Sequence, residues 1–139
     1  MMIKRNIDWP EKLTEVVREY RSREFIYAKS DCCCFVTDCI KAMTGWNFMH
    51  GFKMRYKTER GALGELARCA KVKTVEELAA TRLGEEVSIL KAQRGDVVSA
   101  SNDGMQALGI VVGRVALFMH VDLGLIEVNV ENCYKAWRV

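Results

Sequence analysis

The feature that most restricts this chain is the crowding of β-branched, glycine-punctuated segments that follow Arg94-Gly95-Asp96. Val97-Val98 and residues 108–113, 115–121 and 125–130 succeed one another with too little chain between them for crossover helices. Parallel neighbours need about a dozen connecting residues or more, so these segments predict an antiparallel sheet. Upstream of Arg94 the periodicity is helical. Leu13, Val16, Val17 and Tyr20 share one face of residues 11–20, with Pro10 in the first turn and Asp8 near enough to cap it. A second helix is expected over residues 31–43, where Phe35, Val36, Cys39, Ile40 and Met43 keep helical spacing and Thr44-Gly45 stops it. Leu63, Leu66, Ala67 and Ala70 mark a short helix over 61–70, and Thr74-Val75-Glu76-Glu77 has the form of a capping box that opens another, fading near Gly84. Helices first and strands second predict an α+β fold. Its N-terminal helices pack on a C-terminal antiparallel β-sheet, in one domain over residues 1–139. The tail Cys133-Tyr134-Lys135-Ala136-Trp137 is apolar enough to pack back onto the body.

Composition narrows the function classes. Half of the 139 residues are apolar, enough for one core, and no apolar run reaches the roughly 18 residues of a membrane span. The first ten residues hold no continuous apolar stretch, so no secretory leader is read and folding in a reducing cytosol is expected. The six cysteines are then thiols rather than a disulfide framework. A net charge of +3 is far from the dense basic stripe of a dedicated nucleic-acid binder. Trp46, Phe48, Phe52 and Tyr56 interleave with Lys53, Arg55, Lys57 and Arg60. That pattern reads as a loop with aromatics under the core and solvated charges, rather than as a single-strand binding platform.

The candidate chemistry lies in Ser30-Asp31-Cys32-Cys33-Cys34-Phe35-Val36. Ser30 or Asp31 can cap the second helix, which puts Cys32 in its first turn, where free amides and the helix dipole favour a thiolate. The bland alternative is three small buried residues. Adjacent helical positions point about 100° apart, so Cys32, Cys33 and Cys34 are not expected to converge on a metal; only Cys32 with Cys39, or Cys34 with a remote partner, offers a pairing. No metal or cofactor is predicted. A nucleophilic cysteine needs a base. Of the two histidines, His50 falls in the irregular segment and His120 in a strand whose alternation can aim it at the helix start.

Several motifs, taken in order, resemble the NlpC-type cell-wall cysteine peptidases, papain-like enzymes that cut stem peptides of peptidoglycan. Asp31-Cys32-Cys33-Cys34-Phe35-Val36 resembles their D-C-S-G-L-V nucleophile motif. Residues 92–98 (Ala-Gln-Arg-Gly-Asp-Val-Val) look like their P-G-D-L-V entry into the sheet, residues 108–113 like the H-V-G-I-Y-L-G strand, and residues 117–121 like F-I-H-A. The likeness spans roughly residues 25–130. It implies a papain-like fold with Cys32 at the nucleophile position and His120 at the third, base-orienting position. At the base position, where the family has the histidine opening H-V-G-I, this chain has Ala107. Cys33 and Cys34 replace the small Ser and Gly after the nucleophile. The resemblance therefore implies a peptidase fold with degenerate chemistry.

Nearly the whole chain also looks like a small family encoded among tail genes of phages and prophages. The likeness rests on Asp-Cys-Cys, Met-Thr-Gly at the helix end, Arg55-Tyr56-Lys57-Thr58, Arg94-Gly95-Asp96-Val97-Val98, Ala107-Leu108-Gly109-Ile110 and the final Ala136-Trp137. This implies a component made in the bacterial host cytoplasm and built into the virion tail, tail tip, hub or baseplate. Its partners would be other tail or baseplate proteins and peptidoglycan, with neither nucleic acid nor a membrane span. The competing expectation is an active peptidoglycan peptidase or amidase that pairs Cys32 with His120.

Overall fold

The computed structural model describes residues 3–102 and 105–139; Met1 and Met2, part of the segment read as lacking a leader, lie outside the described residues. Helices α1 (Trp9–Tyr20), α2 (Cys32–Thr44), α3 (Glu59–Ala70) and α4 (Val75–Leu83) come first. Strands β1 (Val97–Asn102), β2 (Met105–Val111), β3 (Val115–His120), β4 (Gly124–Asn129) and β5 (Lys135–Trp137) follow. Every pairing is antiparallel, and the order across the sheet is β4-β3-β2-β1-β5. The α+β layout read from the sequence is the one observed. No helix among the described residues is long and apolar enough to cross a membrane.

Helix α2 is the central element. Its Phe35, Val36, Cys39, Ile40 and Met43 are fully buried, between Leu13, Val17 and Tyr20 of α1 and the inner face of the sheet. Strand alternation divides the sheet residues cleanly. Val97, Leu108, Ile110 and Leu117 face the helices, while Val98, Val111, Ala116 and Phe118 form a second, smaller apolar cluster with Cys133 and Ala136 on the other face. The tail does pack back, and it does so by pairing as β5 along β1 (Val97 opposite Trp137, Val98 opposite Ala136), which covers an edge that would otherwise be open.

Local differences from the sequence reading have simple causes. Asp8 stands at the N-cap of α1 but makes no side-chain cap bond, because its φ of −96° and ψ of 20° leave the extended region that capping geometry uses. Helix α3 starts earlier than expected, since Thr58 accepts the Gly61 N–H at 3.0 Å. Strand β1 runs on through Ser99, Ala100 and Ser101, small residues without strand character of their own, because each is paired with β2, and Ser99 with β5 as well. Residues 46–57 behave as read. Phe48 is buried and Phe52, Met54 and Tyr56 half-buried, whereas Lys53, Arg55 and Lys57 are exposed.

Arg5 ties the two ends of the described chain together. Its Nε donates to the Val139 carbonyl at 2.8 Å, Nη1 to that of Arg94 at 2.9 Å and Nη2 to Asp96 Oδ1 at 3.1 Å, with the guanidinium 4.2 Å over the Trp9 ring. Arg5→Met is expected to lower unfolding stability by about 2 kcal/mol, the scale of hydrogen bonds to a charged group. Arg5→Lys should recover little of it, because a compact ammonium cannot span three acceptors. Urea denaturation reads both; full recovery by lysine would reduce the clamp to simple charge.

Candidate functional site

Asp31 sets the position of the candidate site. It is buried, with extended φ and ψ, and its Oδ1 accepts the Cys34 N–H at 2.8 Å, so Asp31 rather than Ser30 caps α2. Oδ2 accepts the Ala28 N–H at 2.9 Å and the Tyr56 hydroxyl. The Ser30 hydroxyl instead donates to the Glu24 carbonyl at 2.6 Å, which fixes the turn that leads into the helix. Cys32 is therefore the first residue of α2, half-buried, on the wall of a cavity of about 150 Å³. Phe25, Tyr27, Phe52, Leu66 and Met119 make much of that wall apolar, and Ala107 and His120 stand on it too. The three positions that the NlpC resemblance picks out thus share one cavity.

The surroundings of the Cys32 sulfur favour the thiolate. The neighbouring Cys33 thiol donates to it, and the Leu108 and Cys33 amides add to that effect; together they outweigh burial and the nearby Asp31 carboxylate and hold the thiol below its ordinary value. Cys33 is driven well up by giving its hydrogen to Cys32 and by burial. Burial drives Cys34 and Cys39 up as well, and Cys133 to about 11. All six cysteines are free thiols. Among the described residues, no three His, Cys, Asp or Glu side chains converge to hold a metal ion.

The Leu108 amide is available because the sheet is interrupted there. Val111 N–H bonds across to β1 at Asp96 and Val112 N–H across to Val115, each at 2.9 Å. Alternation therefore points the Leu108 N–H toward β3. The β2–β3 ladder, however, holds only Ile110 opposite Leu117 and Val111 opposite Ala116. At Gly109 a Cβ would stand 2.4 Å from the Leu117 carbonyl oxygen and 2.7 Å from the Phe118 ring, so β3 passes against bare backbone. Beyond that crossing the ladder stops, and Leu108 N–H turns to the sulfur.

The Nδ1 of His120 is engaged by its own turn. At the end of β3, its Nδ1 accepts the Asp122 N–H at 3.0 Å and the Leu123 N–H at 3.1 Å, tightening the turn into β4. With Nδ1 accepting, the proton of the neutral ring sits on Nε2, so the ring offers a donor where a thiol would need an acceptor. His50 is exposed and stacks edgewise on Trp46, ring centroids 5.7 Å apart, and is not among the residues of the cavity wall. Sequence reasoning did not single out Tyr27 and Tyr56 as wall residues, nor the Leu108 amide or Gly109. The period-two alternation of residues 52–57 was the available signal for Tyr56; a backbone amide freed by a missing pair leaves none.

Iodoacetamide is expected to alkylate Cys32 faster than Cys39 or Cys69 at neutral pH, because the thiolate is the reacting species. The pH midpoint of that reaction should lie below that of an ordinary thiol. Cys33→Ala removes the largest favourable contribution and moves the midpoint up, while Cys33→Ser keeps a donor and moves it less. Peptide mapping across a pH series measures this. A midpoint unmoved by Cys33→Ala would remove Cys33 from the site.

Residues 4–139 match the family described as Domain of unknown function (DUF6950), and the chain belongs to that family. No curated protein matches the chain.

Proposed function

We propose that this chain is a phage tail or tail-tip component with an NlpC-like, papain-like fold whose peptidase chemistry has been lost at the base, leaving a structural or assembly role. One observation carries the loss of chemistry: the cavity wall beside a cysteine disposed toward thiolate has Ala107 at the base position, and His120, the histidine among the described wall residues, has its Nδ1 taken up by its own turn. Amide cleavage by a thiolate needs a proton donor for the departing amine and then a base for water. Ala107 supplies neither, and a neutral imidazole N–H is too weak an acid to replace it. The tail role is supported by the likeness of nearly the whole chain to a tail-gene family, which is an inference by association. Its partners are then neighbouring tail, hub or baseplate proteins.

The second reading is an active peptidoglycan peptidase or amidase, favoured by the shared cavity of Cys32 and His120. Incubation of the purified protein with muropeptides across a pH series decides between them. No cleavage at any pH is the expected result; cleavage that disappears in Cys32→Ser would replace the first reading with the second. Mass spectrometry of purified particles of the encoding phage tests the location, and absence of the chain from tail, hub and baseplate would overturn the structural role.

A further inference from the structure

The geometry of the cavity assigns Cys32 a reaction that needs no base: we infer that it accepts an acyl group from a thioester and holds it in the apolar cavity beside α2. This rests on the reading above that Cys32 occupies a nucleophile position. The chemistry follows from what the site holds and lacks. A thiolate attacking an amide must expel an amine, which leaves only with a proton, whereas a thioester expels another thiolate, a leaving group that departs unprotonated. Cys32 Sγ forms the new bond to the acyl carbon, the carbon–sulfur bond of the donor breaks with its electron pair, and the released thiolate takes its proton from water. No redox partner is involved. The tetrahedral oxyanion needs a donor, and at the start of α2 the Cys32 and Cys33 amides have no oxygen partner among the described residues, whereas the Cys34 N–H is taken by Asp31.

The cavity indicates what kind of acyl group fits. Its volume is about 150 Å³, and Phe25, Phe52, Leu66, Val75 and Met119 on its wall present hydrocarbon or aromatic surface. Apolar cavities of about this volume take up a benzene-sized ligand. A group of that size, joined to Cys32 through a carbonyl, replaces empty space with contacts on several sides. Release is a separate matter. Hydrolysis of the acyl–sulfur bond requires an activated water, and neither Ala107 nor His120 with Nδ1 engaged supplies the base. The acyl group therefore stays on Cys32, one per chain, and the reaction is a loading step rather than a turnover.

The test uses the phenylacetyl and acetyl thioesters of N-acetylcysteamine with the full chain, read by intact-mass spectrometry and peptide mapping. One phenylacetyl group should appear on Cys32 and persist, at a rate about ten- to a hundredfold above acetyl, the preference expected from burying a ring. Cys32→Ser should take none. Ala62→Phe, which pushes a ring into the cavity from α3, should bring the phenylacetyl-to-acetyl ratio toward one. Equal rates for the two thioesters in the wild type, or acylation spread over several cysteines, would overturn the inference. So would a ratio unchanged in Ala62→Phe. Rapid iodoacetamide alkylation of Cys32 without thioester transfer would sink this inference and leave the nucleophile position standing; slow alkylation of Cys32 would sink that position itself.

Discussion

Gly109→Ala is expected to destabilise the protein by about 3 kcal/mol or more, the upper part of the range for forcing extra volume into a packed interior. The ideal Cβ at this position lies 2.4 Å from the Leu117 carbonyl oxygen and 2.7 and 2.8 Å from two carbons of the Phe118 ring. The nearest obstacle is backbone, which no rotamer change relieves. Leu117 is pinned on both sides, opposite Ile110 of β2 and Glu127 of β4, so moving its carbonyl disturbs two ladders. Either β2 lifts from β3 or the pairing of Ile110 with Leu117 breaks. Gly64→Ala is the control. That glycine lies inside α3, where a Cβ meets only the flexible end of Arg68, and the exchange should raise stability by up to about 1 kcal/mol through helix propensity. Urea unfolding measures both. The site should respond too, because displacing β2 carries the Leu108 amide away from Cys32 and slows its alkylation. An unfolding midpoint unchanged in Gly109→Ala would mean that the crossing relaxes freely, and Gly109 would no longer explain the interrupted ladder.

The contrast between Gly109 and α2 shows which features a sequence displays. Phe35, Val36, Cys39, Ile40 and Met43 repeat at helical spacing because one helix buries one face, so their position in the core is legible residue by residue. The antiparallel sheet is legible from spacing alone, since short connections exclude crossovers. Placing Cys32 at a helix start needs only a cap and a breaker. What surrounds Cys32 is another matter. The Leu108 amide faces it because a strand pairing is missing, and a missing pair depends on how β3 crosses Gly109, a long-range packing event with no local pattern. His120 reads as a base candidate from its strand, but whether its Nδ1 is free depends on the conformation of the next three residues. Tyr56 is separated from Asp31 by 25 residues, and only the folded loop brings its hydroxyl to the carboxylate.

Asp31→Ala is expected to cost about 3–5 kcal/mol, a large part of the 5–15 kcal/mol that stabilises an ordinary domain. Loss of the cap bond to Cys34 N–H accounts for about 1 kcal/mol. The remainder comes from the Ala28 N–H and the Tyr56 hydroxyl, half-buried donors left without their acceptor at about 1–2 kcal/mol each. Combining the change with Tyr56→Phe should cost less than the sum of the two, since the second removes a donor the first had orphaned. Asp31→Asn separates structure from charge. Its carbonyl can still cap α2, and the tyrosine hydroxyl can turn to accept from the amide, but the Ala28 N–H then meets another donor, so some stability is still lost. The carboxylate that disfavours the Cys32 thiolate is gone, however. The alkylation midpoint of Cys32 should therefore move to lower pH in Asp31→Asn even as the unfolding midpoint falls. A structural role alone predicts the reverse, because a loosened first turn exposes the thiol and withdraws the donors that favour its thiolate. An upward shift of the alkylation midpoint would reduce Asp31 to a capping residue with no electrostatic hold on Cys32.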